Sequence, residues 1–318
     1  MVKSRSPLAK LAIAAITVLS GLFFVLYFHP ARLATPERSI ATIKTSQHEL
    51  EEIPSRVSTI PEKLWYKAGP KGLSNESRDW MDDCLHKNPK YVSEIMTDDS
   101  GDLYVKNTFA HRQDIVQTYL NLTVPILKAD LLRYLLLFAE GGIWYDLDVS
   151  CGDVPIHEWI PEKFASNASL VVGLEFDEGW GEGIVRQFAS WTIMAAPHSP
   201  HMRVVIDDIL EAIHQKAEER AIGVHDLTLD MIGDVVDFTG PRRLTRGVMK
   251  SLGSALNRTV GMDSISHLLE PVMIGDVLVL PGYSFAASAN KYVNETGPAL
   301  VTHHYAGSWK NQKGGETT

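Results

Sequence analysis

The chain has 318 residues, 45% of them hydrophobic, with 30 Lys and Arg against 39 Asp and Glu for a net charge of −9. That apolar content supports a sizeable core, and the length allows one large or two small domains. No basic stripe interrupts the acidic balance, which excludes nucleic-acid binding, and two cysteines without Cys/His spacing exclude a zinc module.

Lys3, Arg5 and Lys10 precede Leu11–Phe28, an uncharged run of 18 residues near the lower limit for a bilayer-spanning helix. No pair of small residues stands at a cleavage position after it, so the run is expected to stay as an anchor behind a cytoplasmic tail, residues 1–10. Residues 29–58 are polar, lack periodicity and read as a stem. Arg32, Arg38 and Lys44 beyond the run weaken any charge bias, so orientation needs another signal. Asn75, Asn121, Asn167, Asn257 and Asn294 each have Ser or Thr two residues on, where nine Asn would produce roughly one such motif by chance. Five glycosylation sequons imply a luminal or extracellular body behind the short cytoplasmic tail.

From Ile60 onward strand-like and helix-like segments alternate, as in an α/β layer fold. Val92–Met96 and Leu170–Leu174 read as strands; Ser74–His86, Pro125–Glu140, Pro200–Arg220 and Arg243–Leu256 read as helices. The tail 311–318 is expected to be disordered. Cys84 and Cys151 could pair in an oxidising compartment or remain two buried thiols.

The chemistry concentrates at residues 128–151. An apolar-periodic helix (Leu127, Leu131, Tyr134, Leu135, Phe138) runs into the helix stop Gly141-Gly142. Ile143-Trp144-Tyr145 then reads as a short strand ending on Asp146 and Asp148. In an open α/β sheet the carboxyl ends of strands face the ligand crevice. Paired carboxylates there are hard ligands for Mg²⁺ or Mn²⁺, ions that share their shell with substrate phosphates, which is nucleotide-sugar transfer chemistry.

This block resembles the sugar-binding region of glycosyltransferase family 32, which includes fungal initiation-specific α-1,6-mannosyltransferases. Further resemblances follow in order: Ile60–Trp65, Asn88–Tyr91, Val172–Glu175, Gln187 with Trp191-Thr192, Thr239–Pro241 and His303–Lys310. The resemblance covers about residues 59–310. It implies a single GT-A-like, Rossmann-like domain that transfers mannose from GDP-mannose, with retention, to an oligosaccharide or glycoprotein acceptor of the N-glycan class. It also implies a Golgi type II membrane protein, with a Golgi mannosyltransferase complex as a further partner. Asp146 and Asp148 would hold Mn²⁺ (or Mg²⁺), His303 would complete the metal site, and Asp130 and Arg133 would hold donor hydroxyls and diphosphate. Tyr145 and Trp65 join this donor set, Trp65 by stacking on the base. Glu175, Asp177 and Asp237 read singly as exposed loop carboxylates. Two other readings are a mannosyltransferase acting on inositol phosphorylceramide and a silent, anchored glycan-binding protein. The first would need further membrane spans; the second has no need to keep Asp130, Arg133, Asp146 and Asp148 together.

Overall fold

A computed structural model describes residues 60–306 except 182, 294 and 295; the anchor run, the stem, Asn294 and everything from Gly307 lie outside the described residues. Among the described residues no helix is long and apolar enough to cross a membrane.

Alternation builds the strands. In β1 (Lys63–Lys67) Leu64 and Tyr66 enter one buried cluster and Trp65 the opposite one. β3 (Gly142–Tyr145) repeats this, with Ile143 and Tyr145 on one face and Trp144 on the other. The remaining strands of the main sheet are β2 (Val92–Met96), β5 (Leu170–Gly173), β6 (Thr192–Ala195), β7 (Val272–Ile274) and β8 (Val277–Leu280). Their order is β2-β1-β3-β6-β5-β8-β7. β6 runs antiparallel to both its neighbours and β7 to β8, while β1 pairs in parallel with β2 and β3, and β5 with β8. The fold is therefore α/β with a mixed sheet.

The expected helices form with small shifts: α1 (Asn75–Lys87), α4 (Pro125–Ala139), α5 (Pro200–Arg220) and α6 (Pro241–Leu256). Two more, α2 (Asp98–Thr108) and α3 (Gln113–Asn121), fill a stretch whose polar composition hid them. Ser74 caps α1 by accepting the Ser77 N–H, as its side-chain chemistry favours. α4 begins on Pro125 and is buried almost all round, burying Leu127, Leu131, Leu132, Leu135, Leu136 and Leu137 completely. Each such leucine contributes about 1.5–3 kcal/mol, so packing outweighs propensity in holding this helix.

Gly141 and Gly142 turn α4 into β3 with φ of +68° and +97°. A Cβ on Gly141 would meet the Ala195 carbonyl at 2.8 Å, and one on Gly142 the Lys63 carbonyl at 2.7 Å. Only glycine meets both demands.

A second, two-stranded sheet pairs β4 (Val149–Cys151) antiparallel with β9 (Val301–His303), placing Val149 opposite His303. Cys151 also joins Cys84 of α1 in a disulfide, with their Cα atoms 5.1 Å apart across 67 residues. A loop of this length contributes about 4 kcal/mol in the chain-entropy model. Replacing both cysteines with serine should lower the melting temperature by about 10 °C. An unchanged melting temperature and unchanged non-reducing gel mobility would count against the bridge.

Candidate active site

The carboxyl ends of β1, β3 and β5 open onto a cleft of about 330 Å³ whose lining includes Asp130, Arg133, Asp146, Asp148, Glu175 and His303. β6 is antiparallel, so its leading segment, Gln187–Trp191, arrives at the same edge and lines the cleft as well. The Trp191 carbonyl accepts the Asp146 N–H at 2.9 Å, fixing where the first carboxylate stands.

Arg133 lies at the centre, only 4% exposed. Its Nη2 is 3.2 Å from Asp130 Oδ1 and 3.3 Å from Asp146 Oδ1, its Nη1 donates to the Ser190 carbonyl, and its plane sits 5.0 Å from the Trp144 ring centre. The i,i+3 spacing on α4 puts Asp130 and Arg133 on one face. Asp130 is held from its other side by Thr239, whose hydroxyl donates to Oδ2 at 2.7 Å. Asp146 accepts the Trp144 indole N–H at 2.6 Å.

Asp148 has different partners. His303 Nε2 lies 3.3 Å from its Oδ2, and the Ala306 N–H donates to the same oxygen at 2.9 Å. The His303 ring stacks on Trp191 at 4.2 Å, with Tyr305 at 4.0 Å. His304 points elsewhere, stacked on Trp80 at 4.0 Å and bonded to Ser150. Successive residues of a strand face opposite sides, so His303 is the one in the cleft.

Burial separates the carboxylates electrostatically. It pushes Asp130 up to about 6 against the opposing pull of Arg133 and Thr239. It also raises Asp146, opposed by Arg133 and reinforced by the nearby Asp148. For Asp148 burial again pushes upward, but the hydrogen bonds from His303 and Ala306 outweigh it and hold the group below the usual range.

The residues fit a divalent ion in part. Mg²⁺-type ions are held by one or two carboxylates plus substrate phosphates, and Asp146 and Asp148 are such a pair. The expected three-ligand set is not preformed: among the described residues no three His, Cys, Asp or Glu side chains converge as a metal site. His303 Nε2 is engaged with Asp148, so it orients that carboxylate.

Two donor-site expectations are corrected. Trp65 is 1% exposed and its indole N–H donates to the Gly141 carbonyl at 2.8 Å, so no base can stack on it. Tyr145 is fully buried beneath the sheet, its hydroxyl 3.1 Å from Cys151 Sγ. The two side chains enter the buried clusters on opposite faces of the sheet, and neither lines the cleft. The loop carboxylates differ too. Glu175 is 6% exposed and lines the cleft, Asp177 accepts the His267 and Leu268 N–H groups, and Asp237 pairs with Arg242 and Arg246 outside it. No sequence period marks such burial; Gln187 and Trp191 were visible only within the family resemblance.

Residues 74–165 match the glycosyltransferase sugar-binding region containing a DXD motif, and they include Asp130, Arg133, Asp146 and Asp148. The chain thus carries the sugar-binding region of that glycosyltransferase family. Among its relatives are the initiation-specific alpha-1,6-mannosyltransferases of Candida albicans, 29% identical over 79% of this chain, and of Schizosaccharomyces pombe, 32% identical over 70%. The chain spans 72% and 57% of their respective lengths. A mannosyl phosphorylinositol ceramide synthase of Saccharomyces cerevisiae is 30% identical over only 30% of this chain and 21% of its own. A solved structure, PaToxG glycosyltransferase, aligns with a TM-score of 0.41 at 15% identity, covering 62% of this chain and 75% of that one, too slight a likeness to carry an argument.

The raised carboxylates have a stability consequence. Asp130 at about 6 and Glu175 at about 7 keep protons in the folded chain after the unfolded chain, at 3.8 and 4.5, has lost them. Stability from these two groups falls as pH rises through that window, whereas the contribution of the depressed Asp148 is already complete above the ordinary carboxylate range. Metal-free protein should melt at a lower temperature at about pH 8 than at about pH 5.5, and Glu175→Gln should shrink the difference. Identical pH slopes in the two proteins would refute the assignment.

Proposed function

We propose that this glycosyltransferase is a metal-dependent, retaining mannosyltransferase that takes mannose from GDP-mannose and adds it in α-1,6 linkage to an N-glycan acceptor. The observation that carries the reading is the meeting of Asp146, Asp148, Arg133 and His303 on one cleft at the strand ends. The domain is read as GT-A-like, with the nucleotide sugar lying outside the carboxyl ends of the strands. The mannosyltransferase relatives, matched over 70% or more of this chain, supply the choice of sugar. Transfer to inositol phosphorylceramide is the weaker alternative, since its relative matches only 30% of the chain.

Mn²⁺ (or Mg²⁺) held by Asp146 and Asp148 would supply charge neutralisation for the departing diphosphate. Arg133 adds a fixed guanidinium fork beside it, and its buried Nε has no hydrogen-bond partner among the described residues. Asp130, locked between Thr239 and Arg133, keeps one orientation for accepting sugar hydroxyls. His303, stacked against Trp191 and Tyr305, holds Asp148 in place and walls off water. In a same-face displacement the acceptor oxygen bonds to C1 as the C1–O bond to phosphate breaks. The hydroxyl proton passes to the leaving phosphate, so no protein nucleophile is needed.

The purified protein with Mn²⁺ should hydrolyse GDP-mannose in preference to UDP-sugars. Asp146→Asn or Asp148→Asn should lower transfer by about 10³-fold with little change in melting temperature, and His303→Ala by about 10- to 100-fold. Near-full activity of the wild type in EDTA would remove the metal from the mechanism.

The proposed location is the Golgi membrane, single-pass type II, with the catalytic domain in the lumen. Asn75, Asn121, Asn167 and Asn257 are all exposed, as attached glycans require. Expressed in a eukaryotic cell, the protein should sediment with membranes and lose mass on endoglycosidase treatment. Unmodified protein in the cytosol would contradict this topology.

A further inference from the structure

Glu175 and Gln187 line the cleft together with the carboxylate pair, yet the chemistry above does not use them. Both are almost fully buried, at 6% and 3% exposure. They are tied twice: the Gln187 carbonyl accepts the Glu175 N–H at 2.8 Å, and the Gln187 side-chain amide donates to Glu175 Oε2. That second bond uses one of the two N–H donors of the amide. Gln187 Oε1 is left buried with no hydrogen-bond partner among the described residues. The atom this pair leaves unpartnered is thus an acceptor, and above about pH 7 the ionised Glu175 beside it is a second acceptor. A buried acceptor without a donor is costly, so its place in a ligand cleft points to a donor-rich ligand.

Phosphate oxygens are themselves anionic acceptors and are repelled here; sugar hydroxyls are donors. The segment Gln187–Trp191 connects the two parts of the cleft. Its Trp191 end is bonded to Asp146 and its Gln187 end to Glu175, four residues apart, at most about 13 Å of extended chain. An elongated ligand can therefore touch both ends with different groups.

On the reading of this site as a nucleotide-sugar transferase, we propose that Glu175 and Gln187 form the subsite for the transferred hexose, each accepting a hydrogen bond from a sugar hydroxyl. The donor then lies with its diphosphate at Arg133, Asp146 and Asp148 and its sugar reaching toward β5. Gln187 orients the carboxylate as well as contacting sugar. Burial pushes Glu175 up to about 7, opposed by Gln187, His303 and Arg242, and a hydroxyl donated to it relieves the same desolvation.

The test is calorimetric titration of the full chain with GDP and with GDP-mannose in the presence of Mn²⁺. Glu175→Gln should leave GDP affinity within about twofold and weaken GDP-mannose by roughly 10- to 100-fold, with Glu175→Asp intermediate. GDP carrying 2-, 3-, 4- or 6-deoxymannose supplies a readout on folded wild-type protein. At least one deoxy donor should bind about tenfold more weakly than GDP-mannose to the wild type and suffer no further loss in Glu175→Gln. Equal weakening of GDP and GDP-mannose by the variant, no weakening of either, or the same deoxy penalties in both proteins would each overturn the subsite. Wild-type protein that binds neither GDP nor GDP-mannose would instead overturn the donor reading beneath it.

Discussion

One buried cation organises the site. Arg133 is almost fully out of water, and a guanidinium there must be matched by acceptors. It finds them on three elements: Asp130 on its own helix, Asp146 after β3, and the Ser190 carbonyl before β6. Removing the cation would leave the buried Asp130 and the half-buried Asp146 together without a counter-charge, the costly half of a broken ion pair. The same guanidinium that closes the core between α4 and the sheet edge also lines the cleft. Structural and chemical roles fall on one side chain because the cleft floor is also the roof of the core.

A second constraint acts on the other carboxylate. Asp148 sits in the turn between β3 and β4, and a short turn of this kind is mobile unless its far end is held. β4 is held on both sides, by the disulfide to α1 and by the ladder to β9. Because Val149 pairs with His303, the imidazole arrives beside Asp148 from more than 150 residues away in sequence. Asp146 is braced by Arg133 and Trp144, Asp148 by His303 and Ala306, and the two carboxylates are pushed in opposite directions from their usual values. Two neighbouring carboxylates with different braces need not move together when charge is brought between them.

Much of this was legible residue by residue. Val92–Met96 and Pro200–Arg220 form where alternation and helical spacing place them, and Gly141-Gly142 ends α4 where the double glycine demands. Asp146 and Asp148 stand at a strand end, as the short apolar run before them implies. The failures share a cause. Trp65 and Tyr145 looked available because aromatic residues suit bases, but the face each one takes is set by which neighbours flank the strand. Glu175 looked like a loop carboxylate because it stands just past the strand-like run Leu170–Leu174; its burial comes from Gln187 and the segment behind it.

The sequence by itself determined the local periods: which segments become helix or strand, where they stop, and that paired carboxylates follow β3. Those properties depend on residues within a turn or two of one another, so they survive in one dimension. Only the tertiary structure decided that β6 runs antiparallel between β3 and β5, bringing Gln187–Trp191 across the cleft, and that β9 pairs with β4, seating His303 rather than His304 at Asp148. Strand pairing is made by backbone groups that every residue carries, so it leaves no local pattern to read; it is settled by which packed arrangement buries the apolar faces and matches the buried charges.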